Sequence, residues 1–219
     1  MRDEYRSDLL QVNKLLVWMA DAVRSAMNRA TNALLNADQT DAEEVIARDA
    51  EVNALYRLVE DKVYDLCARQ APVASDLRLV LTALHLAADL ERMGDLADHV
   101  AKTALRRHPA HAVPEPLVAT FEQMGTVADR IAGKISSAIS NLDVVAAAQL
   151  ERDDDAMDKL HNDLFGIMFG PKWTEDTEAA VDSALLGRFY ERYADHAVNA
   201  GRHVVFLVTG ESLDSRPAQ

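Results

Sequence analysis

The chain has 219 residues with 36 acids against 23 basic residues, a net charge of −13 that repels phosphate backbones and anionic lipid and argues against direct nucleic-acid binding. Hydrophobic residues make up 49%, enough for a buried core, while aromatics are only 5% and Ala and Leu abound, which favours packed helices over sheets. Cys67 is the only cysteine, which excludes an intramolecular disulfide; the longest apolar runs, such as VVFLV at 204–208, are far too short to span a bilayer; and the opening MRDEYRSDLLQ lacks the apolar stretch of a secretory signal, so a cytoplasmic protein is expected.

The six prolines fall where the apolar periodicity breaks, and the intervals between them read as helical blocks. A first helix is predicted over 4–36. The turn ADQTDAEE at 37–44, with Thr40 and Glu43 as a capping box, starts a second over 41–70, in which Cys67 lies on an apolar face. A third runs from Ser75 or Asp76 to about 106, and RHPAHAVPEP at 107–116 is a linker. Helices follow over 115–141 and 144–169, the second capped by Asp143; FGPKWTED interrupts, and the last helix covers 175–209 with Gly210 as its C-terminal cap. ESLDSRPAQ reads as a frayed tail.

Two sets of three helices imply a duplication. ADQTDAEEVIARDAEVNAL lies on NLDVVAAAQLERDDDAMDKL at an offset of 105 residues, with Asp38 over Asp143, Asp49 over Asp154 and Asn53 over Asp158. ERMGD at 91–95 lies on ERYAD at 191–195 at an offset of 100, so the loop between second and third helices is expected to be about five residues shorter in the later half. The expected fold is all-α, two tandem, pseudo-symmetric antiparallel three-helix bundles: residues 1–108, a linker 109–116, residues 117–210, and a tail 211–219.

Each motif sets two carboxylates at i and i+4, where like charges face and repel by a few tenths of a kcal/mol. At 100° per residue Glu91, Asp95 and Asp98 continue the stripe of Leu77, Val80, Leu81 and Leu84, and Glu191 and Asp195 continue that of Ala180, Val181, Ala184, Val198, Val205 and Phe206. Asp49 with Asn53, and Asp154 with Asp158, join apolar faces on the second and fifth helices. Unpaired buried carboxylates are costly, so a compensator is needed: a multivalent cation, arginines such as Arg188, or water in an open groove. Oxygen donors with one Asn or His suit Mg, Mn, Fe or Ca. His99 and Asn199, one turn beyond the acids, are further candidate ligands, whereas His85, His161, His196 and His203 read as hydrogen-bonded structural residues. Gly94 inside the first motif fits close helix packing, room for an ion, or simple tolerance.

ASDLR (74–78), DLERMGDLAD (89–98) and YERYADHAVN (190–199), set in duplicated three-helix units, resemble the PhoU family, accessory proteins of bacterial phosphate-specific transport. The resemblance implies a non-enzymatic cytoplasmic regulator that represses phosphate uptake and the phosphate-starvation response. It acts as an adaptor between the ATPase subunit of the phosphate ABC transporter and a sensor histidine kinase, peripheral to the membrane through these partners, and forms a homodimer. It further implies divalent or ferric ions (Fe, Mn, Mg or Zn) at Glu91 and Asp95 and at Glu191, Asp195 and Asn199, with Asp49, Asn53, Asp154 and Asp158 as the acid-bearing second helices. His99 stands where the family pattern often has Asn. Ser75, Asp76 and Arg78 of ASDLR, which has no clear copy in the second half, are expected to meet a partner. Two other readings are a carboxylate-bridged metal enzyme, whose paired Glu-x-x-His motifs are missing from the sequence, and a metal-free bundle that docks other helices.

Overall fold

The computed structural model describes residues 2–211. Among them are six long helices: α1 (Arg2–Asn36), α2 (Gln39–Gln70), α3 (Ser75–Arg107), α4 (Val118–Asn141), α5 (Val144–Met168) and α6 (Thr177–Thr209), with a 3-10 turn, Glu115–Leu117, leading into α4. The residues expected to open α4 as regular helix therefore form that tighter turn behind Pro114. All of the tail beyond Glu211 lies outside the described residues.

The turns repeat with the helices. α1 ends at Ala37 and α4 at Leu142, both left-handed (φ 51° and 52°), and an aspartate follows each. Asp38 accepts from the Asp41 N–H at 3.1 Å, and Asp143 from the N–H groups of Val145 and Ala146 at 2.9 and 3.0 Å. Each satisfies helix-end donors that would otherwise lack a partner. The expected Thr40 capping box is thus corrected: Asp38 is the cap and α2 starts two residues earlier. Asp176 caps α6 through the Ala179 N–H, and Gly210, at φ 77°, closes it as expected.

Burial follows the duplication closely. Leu16, Met19, Val23 and Leu34 of α1 are buried, as are Phe121, Met124, Ala128 and Ile139, 105 residues on. Ala42, Val45, Val52, Val59 and Val63 of α2 have buried counterparts in Ala147, Leu150, Met157, Leu164 and Met168. On α3, Leu86, Leu90, Met93 and Ala97 match Leu186, Tyr190, Tyr193 and Ala197 at an offset of 100. The five-residue difference was expected in the loop but falls on helix ends: α5 has 25 residues against 32 in α2, the connection 169–176 is longer than 71–74, and α6 starts at Thr177, two positions later than the counterpart of Ser75.

Helices α1–α3 form one bundle and α4–α6 the other, packed side by side through α1 on α4 and α3 on α6. Both pairs run antiparallel. Arg24 grips Asp129 through two bonds of 2.7 and 2.9 Å while Asp21 meets Ser136. Along α3 and α6, His85 stacks on His203, Asp89 meets Asn199, His99 packs on Phe189, and Arg107 reaches Asp182. The result is a row α2–α3–α6–α5 backed by α1 and α4, with the two acid motifs at the middle of α3 and α6. Across the halves, the buried Tyr190 hydroxyl and Thr31 Oγ1 stand 2.7 Å apart.

Candidate functional site

On α2 and α3, i, i+4 spacing sets Asp49 with Asn53 and Glu91 with Asp95 toward one groove. Asn53 Nδ2 donates to Asp49 Oδ2 at 2.9 Å, and Arg92 pairs with Asp95 at 2.7 Å and approaches Glu91 at 3.6 Å. Lys102 neutralises the buried Asp98. Burial raises the Asp49 pKa, helped by Asp98 and Asp95, and burial followed by Asp95 raises that of Glu91. Carboxylates from two helices therefore oppose one another's ionisation. Gly94 is explained by packing, since a Cβ there would stand 3.2 Å from Val52 Cγ1.

The second face is less well compensated. Asp154 and Asp158 of α5 oppose Glu191 and Asp195 of α6. Burial, then Asp158, Asp195 and Glu191, push the Asp154 carboxyl up to about 7. Burial and Asp195 raise Glu191 against the pull of Arg188, which pairs with its Oε1. Asp154 Oδ1 and Glu191 Oε2 are buried with no hydrogen-bond partner. Orphaned carboxylate oxygens on facing helices are a donor set that fits a hard cation. Among the described residues, however, no three His, Cys, Asp or Glu side chains stand close enough to hold an ion as they are.

The apolar stripe that the acids continue is core only in part: Val80, Val198 and Val205 are buried. Leu77, Leu81, Val181 and Phe206 are exposed, so the acids sit at the boundary between the packed face and solvent.

His99 and Asn199 are not with the acids. Asn199 Nδ2 donates to Asp89 Oδ2 at 2.8 Å, beside His196 Nδ1 on Asp89 Oδ1 at 3.0 Å, and His99 packs on Phe189 with ring centroids 5.2 Å apart. Eight residues beyond Glu91 or Glu191 a helix has rotated about 80°, which carries both side chains into the α3–α6 seam. Phe189 is the counterpart of Asp89, and His99 of Asn199, so these are the same contact viewed from the two halves. Asp89 is buried and was not singled out in the sequence; its replacement by Phe189 in the repeat was the available signal. Of the ASDLR residues, Ser75 and Asp76 are exposed at the start of α3, whereas Arg78 is half-buried and its guanidinium lies 5.8 Å from the Phe206 ring centroid. Cys67 is half-buried against the core.

A model of the PhoU domain matches residues 16–104 and 121–204. The chain is 44% identical over 210 residues to the phosphate-specific transport system accessory protein PhoU homolog 2 of Mycobacterium tuberculosis, covering 96% of this chain and 99% of that protein. It is 43% identical to PhoU homolog 1 of Mycobacterium leprae, covering 96% and 95%. The crystal structure of PhoU from Pseudomonas aeruginosa superposes with a TM-score of 0.85 at 28% identity, covering 94% of this chain and all of that one.

Proposed function

Because the chain belongs to the PhoU family, we propose that it is a negative regulator of phosphate uptake and of the phosphate-starvation response. In this reading it is a cytoplasmic homodimer that works as a non-enzymatic adaptor between the ATPase subunit of a phosphate ABC transporter and a sensor histidine kinase. No described helix is long and apolar enough to cross a membrane, which agrees with attachment through partners. The observation that carries the reading is the repetition of an incompletely neutralised acid groove at equivalent places in both halves of a chain with this family relationship. A carboxylate face kept at the core boundary against its own electrostatic preference is better suited to receiving a cation or a basic surface than to holding the bundle together.

The second face supports a bound divalent or ferric ion most strongly, with Asp154, Asp158, Glu191 and Asp195 as its holders; Asp49, Glu91 and Asp95 would play the same part in the first. Such an ion would supply positive charge that draws the facing helices together. Ser75 and Asp76 offer an exposed polar contact for a partner at the start of α3.

The test is phosphate-scavenging reporter expression in phosphate-rich medium, in a deletion strain complemented with wild type or with Glu91, Asp95, Glu191 and Asp195 all changed to Ala at matched protein levels. Restoration by wild type alone supports the reading. Restoration by both leaves the regulator but removes the acids from it, and the metal-free bundle becomes the better description. Restoration by neither sinks the phosphate-control role.

A further inference from the structure

The duplication supplies an internal control for the two ends of the α3–α6 seam. At one end Arg107 pairs with Asp182 at 2.7 Å and Glu178 at 3.3 Å, and Arg106 also binds Asp182, so charges of both signs close the contact. At the other end the sequence has exchanged these acids. Arg78 stands in the place of Glu178, Thr82 in that of Asp182, and His85 in that of Leu185, while Arg202 keeps the cation found at Lys102.

This end opens into a cavity of about 590 Å³ lined by Arg78, Arg202, His85 and His203 with an apolar wall that includes Leu81 and Phe206. Among the described residues no acid lines it, in a chain of net charge −13. Arg78 Nε is buried with no hydrogen-bond acceptor, and no ion pair reaches its guanidinium among the described residues. Arg202 has one exposed partner, Glu151 at 3.3 Å, and the His203 ring, stacked on His85 with centroids 4.9 Å apart, approaches Asp89 at 3.6 Å.

We propose that this cavity is a binding site for a phosphate monoester carried on an apolar or aromatic body, with Arg78 as its anchor. Guanidiniums that face no acid among the described residues lining the cavity call for an oxyanion, and two arginines match a dianion. The volume lies in the range of small-molecule sites, and Leu81 and Phe206 provide surface that a bare anion would leave unused. The site is separate from both acid grooves and does not depend on the proposed regulatory role.

Calorimetric titration of the full chain with phenyl phosphate, inorganic phosphate and phenol tests it, with the His85 and His203 imidazole NMR signals locating the ligand. Phenyl phosphate should bind saturably, at least about tenfold more tightly than either fragment, and shift both histidines. Arg78→Glu, which copies the other half, should weaken it by at least about tenfold; Thr82→Asp, which restores the acid of Asp182, should do the same in a chain of unchanged helicity. Equal affinity for inorganic phosphate, full affinity in both variants, or no binding of phenyl phosphate overturns the proposal.

Discussion

Asp154→Asn should make the ion-free protein more stable, and only above the pH at which the unfolded carboxyl ionises. In the folded chain its pKa rises from 3.8 to about 7, chiefly through burial and then through Asp158, Asp195 and Glu191. In full, that rise is worth about 4 kcal/mol at ~1.4 kcal/mol per tenfold change in proton affinity. The carboxylate keeps partial contact with solvent, and screening reduces the realistic figure to ~1–2 kcal/mol. The sign follows from linkage. A carboxyl bound more tightly to its proton in the folded state costs nothing below its unfolded pKa; the cost accumulates as pH rises from about 4 toward 7 and is complete above it. Urea unfolding with chelator present, from about pH 5.5 to pH 8, should therefore show a stability gain for Asp154→Asn that grows with pH to ~1–2 kcal/mol. A saturating divalent ion should reverse the order, since wild type gains ~2.7 kcal/mol at a hundredfold excess over Kd and the variant loses a holder. A variant no more stable than wild type at the higher pH would refute the claim that this face is electrostatically held in reserve.

Glycine substitutions should separate close packing from free space by thermal melts. Gly201→Ala places a Cβ 2.6 Å from Leu150 Cδ1 and 3.2 Å from the Ala147 carbonyl oxygen, and should cost ~1–2 kcal/mol after its gain in helix propensity; Gly166→Ala meets nothing within 4 Å and should stabilise by ~0.5–1 kcal/mol. Asp182→Ala leaves Arg106 and the half-buried Arg107 without their shared acid and should lower stability by ~2 kcal/mol in denaturant titration, a loss that high salt reduces. Tyr190→Phe removes the hydroxyl that meets Thr31 between the halves and should cost ~1 kcal/mol, mainly by speeding unfolding if that contact forms late.

Element type and order could be read from the sequence because prolines and periodicity coincide. The duplication could be read because the same positions recur in both halves, and burial bears this out from Leu16 and Phe121 to Ala97 and Ala197. The duplication also held the answer to a point that motif reading missed. Asp38 aligns on Asp143 and both cap their helices, whereas the Thr40–Glu43 spacing matches a capping box two residues inside the true start. Side-chain surroundings were harder to read. Helical projection places Leu77 and Leu81 on the stripe of Glu91 but cannot say which part of that stripe another helix covers, because α1 and α2 set the covered arc. The same limit misplaced Asn199 and His99, where a 40° drift with each four-residue step decides between groove and seam.

The seam carries the asymmetry that a duplicated chain is free to acquire. After duplication both ends of α3–α6 face the same steric problem, and either an ion cluster or an apolar contact would solve it. One end keeps acids and arginines in balance around Asp182; at the other Phe206 and Leu207 stand for Arg106 and Arg107, Thr82 for Asp182, and Arg78 for Glu178. Drift toward a merely tolerable surface would be expected to remove unpaired charge near apolar walls, since a buried donor without an acceptor costs ~1–3 kcal/mol. Arg78 persists there with its Nε unsatisfied, 5.8 Å from Phe206. The acid grooves present the same kind of imbalance with opposite sign, in Asp154 and Glu191. In both places the described residues leave a polar atom of a charged side chain without a partner, and in both the proposed ligand carries the opposite charge.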